Sequence, residues 1–397
     1  MKKKILYISY DGMLEPLGQS QVLSYQERLG KKFEIHILSF EKSFDEPSKN
    51  QVMRRFNDAG LYWHPLKYHK SPAILSTVAD ITYGLFKSFF IVRSYKVDMI
   101  HARSYVPAVI ALSLKKIFGI KFIFDMRGFW VDERVDGNIW KKNSYIYKIS
   151  KWFESKFLLN ADHIISLTYA AIREIKKFPY LIGRPISISV IPTCTDLNQF
   201  KLKKAKINDL KKNFVLGYVG SIGTWYNFDA VIKAFKELRI LEPNAKLLVV
   251  NQNEHKLISS MIRKAGISSE FFKLTKATHS EVPQLIQTMT AGIFFIEPLF
   301  SKKASAPTKL GEFLGCGVPC ISNRGVGDMT NILEGENVGV AVSDFENQSL
   351  NHGIFQLINL SKDPDISLRC SNVAKKYFSL EKGVADLQKI YIQLAAS

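Results

Sequence analysis

The sequence is short of acidic residues, short of cysteine, and without a long uninterrupted apolar run. Its 36 Asp and Glu stand against 55 Lys and Arg, a formal net charge of +19 over 397 residues. An excess of this size points to an acidic partner: nucleic acid, an anionic membrane surface or a phosphorylated substrate. The lysines are spread along the chain without an RNA- or DNA-binding signature, which favours a membrane surface or a pyrophosphate over nucleic acid. The four cysteines (Cys194, Cys316, Cys320, Cys370) form no CxxC pair and have no partnering histidines. The expectation is no metal site, no cofactor and no disulfide framework, but buried free thiols in a reducing compartment. Ile74 to Val92 is interrupted by Asp80 and Lys87 before the roughly 20 apolar residues that span a bilayer, so no segment reads as a transmembrane helix. After Lys2-Lys3-Lys4, the run Ile5 to Tyr10 meets Asp11 too soon for a signal peptide. It reads as a first strand, and the chain as cytoplasmic.

What is present is the composition of a globular protein, 46% hydrophobic and 23% charged. The length favours two domains. Strands are expected at Lys4–Ser9, Phe33–Ser39, Met99–His101, Lys121–Phe124, His163–Ser166 and Ser187–Ile191. Helix-like segments at Gln19–Leu29, Pro72–Ser94, Tyr105–Phe118, Tyr145–Leu159 and Tyr169–Lys177 alternate with them. The pattern pauses at Pro192 to Asp196 and the lysine-rich Lys201 to Lys212. It restarts at Phe214–Val219, then Ala245–Val250, Phe271–Thr275, Gly292–Ile296, Val318–Ser322 and Gly339–Val342. This alternation implies an α/β protein of two Rossmann-like domains, residues 1–195 and 196–379, with parallel sheets facing a cleft. A last helix, about 380–397, closes the chain. Ligands of such sheets sit beyond the carboxyl ends of the strands.

The segment Ser305 to Pro319 carries the most chemistry. Pro307 suits a first helical turn, Leu310, Phe313 and Leu314 form an apolar face, and Gly317 ends the helix. The N–H groups of Thr308 and Lys309, with the Lys309 charge, would then offer a phosphate site. Glu312, one turn on, could accept hydrogen bonds from two ribose hydroxyls. Other candidates follow strand ends. They are the loop Asp11–Gln21 with Gly18, and the Asp125–Arg127 pair before Gly128-Phe129-Trp130. Asn251 to Asn253 and Lys276 to His279 should border base and ribose, His279 reading as a helix-start residue.

Read as Pro-x-Lys-x-x-Glu-x-x-x-x-Gly-x-Pro, the segment Pro307 to Pro319 resembles the nucleotide-sugar motif of family 4 retaining glycosyltransferases of the GT-B fold, the bacterial cell-surface polysaccharide type. Further landmarks occur in that family's order: Tyr7 to Gln21, Val97 to Ala102, Val190 to Asp196 and Tyr218 to Tyr226. The resemblance implies Glu312 as the ribose ligand, with Lys309 and the adjacent Thr308 and Leu310 backbone as diphosphate contacts. It further implies Gly18, Gly220, Ser221, Tyr226, Asn251 and Ala277 around the donor, and a last helix that packs back on the first domain. Two departures stand out. The family's first motif glutamate falls at Ala304, and its Arg and Lys after the second-domain glycine are replaced by Ser221-Ile222-Gly223-Thr224-Trp225-Tyr226. Lys309, with Lys302 or Lys303, would then neutralise the pyrophosphate, unless those two lysines are solvated surface. Retaining transfer in this family is taken to proceed on one face of the sugar without a protein nucleophile. Asp125, Arg127, Lys309 and Glu312 are accordingly the expected catalytic set, the first two as positioning groups.

The expectation is a metal-independent transfer from a nucleoside-diphosphate sugar to a lipid-linked or saccharide acceptor, as in exopolysaccharide, O-antigen or capsule assembly. The aromatic, basic helix Pro72 to Tyr95 could lie on an anionic membrane at the inner face of the cytoplasmic membrane, or be an ordinary packed helix with charged ends. No obligate protein partner is legible. Two alternatives remain: a GT-B sugar-nucleotide epimerase, and a non-enzymatic basic protein that binds a membrane surface.

Overall fold

The computed structural model describes residues 2–202 and 213–396, apart from the Ala73 side chain; most of the expected linker Lys201 to Lys212 lies outside them. The chain divides into two compact units, Met1–Pro192 with Glu381–Ser397, and Thr193–Leu380. The corresponding expected boundaries fall after residues 195 and 379.

Unit 1 holds a parallel sheet of seven strands: β1 (Lys4–Ser9), β2 (Glu34–Glu41), β3 (Tyr62–Lys67), β4 (Met99–Arg103), β5 (Lys121–Asp125), β6 (His163–Ser166) and β7 (Ile188–Val190). Their order is 3-2-1-4-5-6-7. Unit 2 repeats the plan with β8 (Val215–Val219), β9 (Lys246–Val250), β10 (Phe272–Thr275), β11 (Ala291–Ile293), β12 (Cys320–Asn323) and β13 (Gly339–Val342), in order 10-9-8-11-12-13. Each sheet reverses its winding once, between β1 and β4 and between β8 and β11. At such a switch point, two strand-end loops part and leave room for a ligand. Near-continuous apolar runs such as Ile5 to Ile8 and Leu247 to Val250 are buried on both faces, as helix-covered parallel strands require.

Among the elements not expected, two stand out. β3 contains Pro65 and is a half-exposed edge strand, the one place in a sheet where a missing N–H is tolerated. The helix Glu46–Asp58 buries only Val52 and Phe56, too few for a clear period, although the Asp45 carboxylate caps it through Ser48 N–H at 3.0 Å. Because β3 exists, Asp125 ends the fifth strand of its sheet, not the fourth.

The helix Ala73–Tyr95 corrects another expectation. Over Ile74–Tyr95 it is long and apolar enough to cross a membrane, with a mean hydropathy of 1.3. Asp80, which interrupts the run in sequence, is turned into the unit and 2% exposed. There its carboxylate accepts from Tyr10 Oη at 2.8 Å and pairs with His69 Nδ1 at 2.6 Å. The last helix, Leu380–Ala396, brings Tyr391 into unit 1, where its hydroxyl meets His101 Nδ1 at 2.9 Å. All four cysteines are free and buried.

The turn after β1 is fixed from β2. Buried Glu41 accepts from Met13 N–H at 2.8 Å and Leu14 N–H at 3.0 Å. Gly18 packs against this turn so closely that a Cβ would stand 1.9 Å from the Gly12 carbonyl oxygen. Those two amides are therefore spent on Glu41, and Gly18 serves close backbone packing. Gly18→Ala should destabilise unit 1 by about 1–3 kcal/mol, the usual cost of overpacking. Urea unfolding measures it; an unchanged midpoint would show that the turn can relax.

Candidate functional site

In unit 2 the helix Thr308–Gly315 begins at Pro307, which is its N-cap in extended conformation (φ −65°, ψ 127°) and not a first-turn residue. No side chain caps this end. Leu310 N–H bonds back to the Pro307 carbonyl at 3.3 Å, which leaves Thr308 and Lys309 to present their N–H groups at the helix start. Leu310 itself is buried.

Lys309 is only 7% exposed. Its ammonium lies 3.5 Å from the centre of the Tyr226 ring, 4.5 Å from that of Tyr218, and 3.5 Å from the Tyr218 hydroxyl. The approach is possible because residue 220 is glycine: a Cβ there would stand 2.9 Å from Lys309 Cε, and its φ of +106° disfavours any side chain. The loop Ser221 to Tyr226, which lacks cations of its own, instead presents aromatic faces to lysines from another segment. Trp225 does the same for Lys302, whose ammonium is 3.6 Å from the ring centre. Lys302 is 4% exposed, so the solvated-surface reading fails for it. Lys303 is partly buried, 5.4 Å from the Phe300 ring. Ala304, where a glutamate was missing, is buried.

Glu312 keeps 16% of its side chain exposed, and His279 Nε2 comes within 3.9 Å of it. Sequence reasoning had set His279 aside; only the fold brings it to the carboxylate. Burial lowers the Lys309 ammonium from its usual range to about 7, against the opposing pull of Glu312 and Glu254. Burial also raises the Glu312 carboxyl to about 7, against Lys309. The buried Lys309 would gain from an anionic ligand that restores its charge.

Next to the Gly220 loop, against which Lys309 packs, lies a cavity of about 520 Å³, lined in part by Gly220, Ser221, Asn251, Gln252, Glu254 and Ala277. Asn251 borders it, but its side chain is committed elsewhere. The amide donates to the Gly220 carbonyl at 3.0 Å and to Glu254 at 2.7 Å, and Oδ1 accepts from the N–H groups of Asn253 and Glu254. Glu254 in turn accepts from Ile222 N–H at 3.0 Å. Asn251 is thus a brace for the Gly220 loop rather than a free ligand donor. The Ala277 carbonyl accepts from Gln252 Nε2.

Unit 1 gathers a second polar cluster at its switch point. Asp125, at the end of β5, stands 3.8 Å from Arg127, 3.7 Å from Arg103 and 3.6 Å from His101 Nε2. Arg103 also binds Asp11 at 3.0 Å. Burial opposes the Asp125 charge, but Arg127, His101 and Arg103 outweigh it and hold the carboxyl below its ordinary value. Burial pulls the His101 imidazole below its ordinary value, against the opposing pull of Asp125. Arg127 has φ +57°, a conformation that costs a non-glycine residue energy and is often kept at functional sites. Buried Asp125 Oδ1 and His101 Nε2 have no hydrogen-bond partner. Sequence reasoning found Asp125 and Arg127 and named the segments that hold Asp11 and His101, but gave no role to Asp11, His101 or Arg103, which join only through the strand order. The available signal was their position at the carboxyl ends of parallel strands. Among the described residues, no group of three His, Cys, Asp or Glu side chains is placed to hold a metal ion.

Residues 21–199 match the model of Glycosyltransferase Family 4, and residues 199–377 that of Glycosyl transferases group 1. Each half is thus similar to a glycosyltransferase domain, and the two matches together run from residue 21 to residue 377. The fold of the whole chain is that of GT-B glycosyltransferases. Sucrose-phosphate synthase from Thermosynechococcus elongatus superposes with a TM-score of 0.74 at 15% identity, over 100% of both chains. A glycosyltransferase from Rickettsia africae gives 0.71 at 15% identity, over 99% of this chain and 98% of its own. HepE of Anabaena, solved with UDP-glucose, gives 0.70 at 15%, over 98% and 99%. No curated protein matches the chain by sequence.

Folding must raise the Glu312 pKa, so its favourable contribution is complete below about pH 4.5 and is lost as pH climbs to about 7. Glu312→Gln should therefore match the parent in thermal stability near pH 4.5 and exceed it near pH 8. Equal melting curves at both would mean that the carboxylate is well solvated.

Proposed function

We propose that this glycosyltransferase-fold protein moves a sugar from a nucleoside-diphosphate sugar to a lipid-linked or saccharide acceptor, with retention of anomeric configuration, in assembly of a cell-surface polysaccharide. The observation that carries the reading is the buried Lys309 ammonium, with Glu312 one turn along the same helix and a cavity of about 520 Å³ next to the Gly220 loop. A diphosphate is the ligand that this lysine and the helix-start N–H groups fit, and a ribose is what the partly exposed carboxylate fits. The UDP-glucose complex of the Anabaena relative makes a uridine donor the first to try.

In this reading Lys309 and the Thr308–Lys309 amides take up charge as the bond from the anomeric carbon to the diphosphate breaks. No resident metal or cofactor is invoked. The acceptor oxygen attacks from the same face and its proton leaves with the diphosphate. Asp125 and Arg127 hold the acceptor side, and the reaction takes place at the inner face of the cytoplasmic membrane.

Binding of UDP-glucose should raise the melting temperature by mass action. Lys309→Met and Glu312→Ala should each weaken that binding by about tenfold or more, the loss of one charge-assisted contact. Bound diphosphate restores the Lys309 charge, so binding takes up a proton above about pH 7. Affinity should then fall with rising pH, by up to about tenfold per unit, and flatten in Lys309→Met. Calorimetric titration across that range reads both effects. No response to any nucleoside diphosphate or its sugars would sink the reading. Sugar turnover without an acceptor would assign an epimerase instead.

A further inference from the structure

Three side chains surround Asp125 without reaching hydrogen-bond distance. His101 Nε2 stands 3.6 Å away, Arg103 3.7 Å and Arg127 3.8 Å. Asp125 Oδ1 and His101 Nε2 are both buried without a hydrogen-bond partner. A fold shaped for stability alone leaves few such atoms, whereas catalytic contacts are often long until a substrate tightens them. Nearest of the three is the His101 imidazole. What it presents to Asp125 depends on which of its two nitrogens carries the hydrogen.

The last helix decides this. Tyr391, 290 positions along the chain from His101, is fully buried in unit 1, its ring edge-on to Phe33 at 5.3 Å. Its hydroxyl lies 2.9 Å from His101 Nδ1. Buried Gln26 also hydrogen-bonds that hydroxyl, and since Gln26 Oε1 has no partner, the contact runs from the Gln26 amide N–H. The phenol oxygen thus accepts from Gln26 and has its own hydrogen to give to His101 Nδ1. With Nδ1 accepting, the hydrogen of the neutral ring sits on Nε2, facing Asp125. Burial, helped by the Arg103 and Arg127 charges, pulls the imidazole below its ordinary value against Asp125 and so favours that neutral ring. Tyr7 packs on the imidazole with ring centres 4.4 Å apart, which limits its rotation.

We propose that Tyr391 and His101 are positioning residues: Tyr391 fixes His101 with its hydrogen on Nε2, and that hydrogen holds the Asp125 carboxylate as the acceptor must meet it beside Arg127. The relay exists independently of sugar transfer; only the step it serves rests on that reading. Long-range nitrogen–proton NMR of the full chain, labelled at histidine, reads the tautomer, with the His101 signal assigned by its loss in His101→Gln. The expected parent has a neutral ring with hydrogen on Nε2, and Tyr391→Phe, which keeps the packed ring, should give a mixture of tautomers. Hydrogen on Nδ1 in the parent, an imidazolium at neutral pH, or the same tautomer in Tyr391→Phe would overturn the proposal. Turnover of UDP-glucose, with water or octyl glucoside as acceptor, reads the positioning. Tyr391→Phe and His101→Asn should each lower kcat by about tenfold or more and leave the KM for UDP-glucose within about twofold. His101→Gln, whose amide can donate from near the place of Nε2, should recover most of that loss, while the shorter Asn amide reaches only the Nδ1 side. Unchanged kcat in Tyr391→Phe, or equal losses in the Gln and Asn variants at equal melting temperature, would reduce both residues to packing and overturn the proposal. A parent that turns over no sugar nucleotide would sink the transfer reading instead, and the tautomer measurement would still decide the relay.

Discussion

The ammonium of Lys309 rests against the faces of Tyr226 and Tyr218, in space that exists because residue 220 has no side chain. A desolvated ammonium over an aromatic face gains about 2 kcal/mol or more, which recovers only part of what burial of a charge costs. The shortfall is visible in the depressed lysine and the elevated Glu312 carboxyl. Much of the surrounding architecture supports this one placement. Asn251 and Glu254 hold the Gly220 loop, and the Tyr226–Ile296 bridge joins that loop to the chain after β11. The free protein is thus left with an electrostatic deficit that an anionic ligand would remove.

The same physics recurs with opposite signs in unit 1. There a carboxylate, Asp125, is the buried ion, and two arginines and a histidine surround it. Breaking such a cluster is expensive because every remaining charge stays desolvated. Both polar centres lie where their sheet reverses its winding, which is where parallel strands leave unfilled ends.

Strand periodicity made most of both sheets legible, and the spacing of Pro307, Lys309, Glu312 and Gly317 made the helix start legible. β3 escaped because Pro65 and a half-exposed edge erase the apolar run, and the helix Glu46–Asp58 escaped because two buried residues make no stripe. The Asp11–Arg103 pair was hidden for a different reason. It spans 92 positions and forms only because β1 and β4 are neighbours, which no local pattern encodes. Lys302 and Lys303 could be read as solvated surface because a lysine pair carries no periodic signal of burial; the packing of Lys302 against Trp225 is a tertiary fact. Asn251 shows the reverse case, a residue well placed by its strand but already bound by its own loop.

The four cysteines are all buried in unit 2, Cys316, Cys320 and Cys370 within its core and Cys194 near its first residue, and burial raises Cys320 well above the ordinary thiol range. Thiolate is the reactive form and a reagent must reach it, so the four buried thiols should react slowly with alkylating and oxidising reagents in the native chain. An introduced surface cysteine would therefore be the sole reactive thiol, and a probe could be attached to either unit without removing a native residue. Conversely, reactivity appearing at Cys316, Cys320 or Cys370 would mark the opening of the unit 2 core.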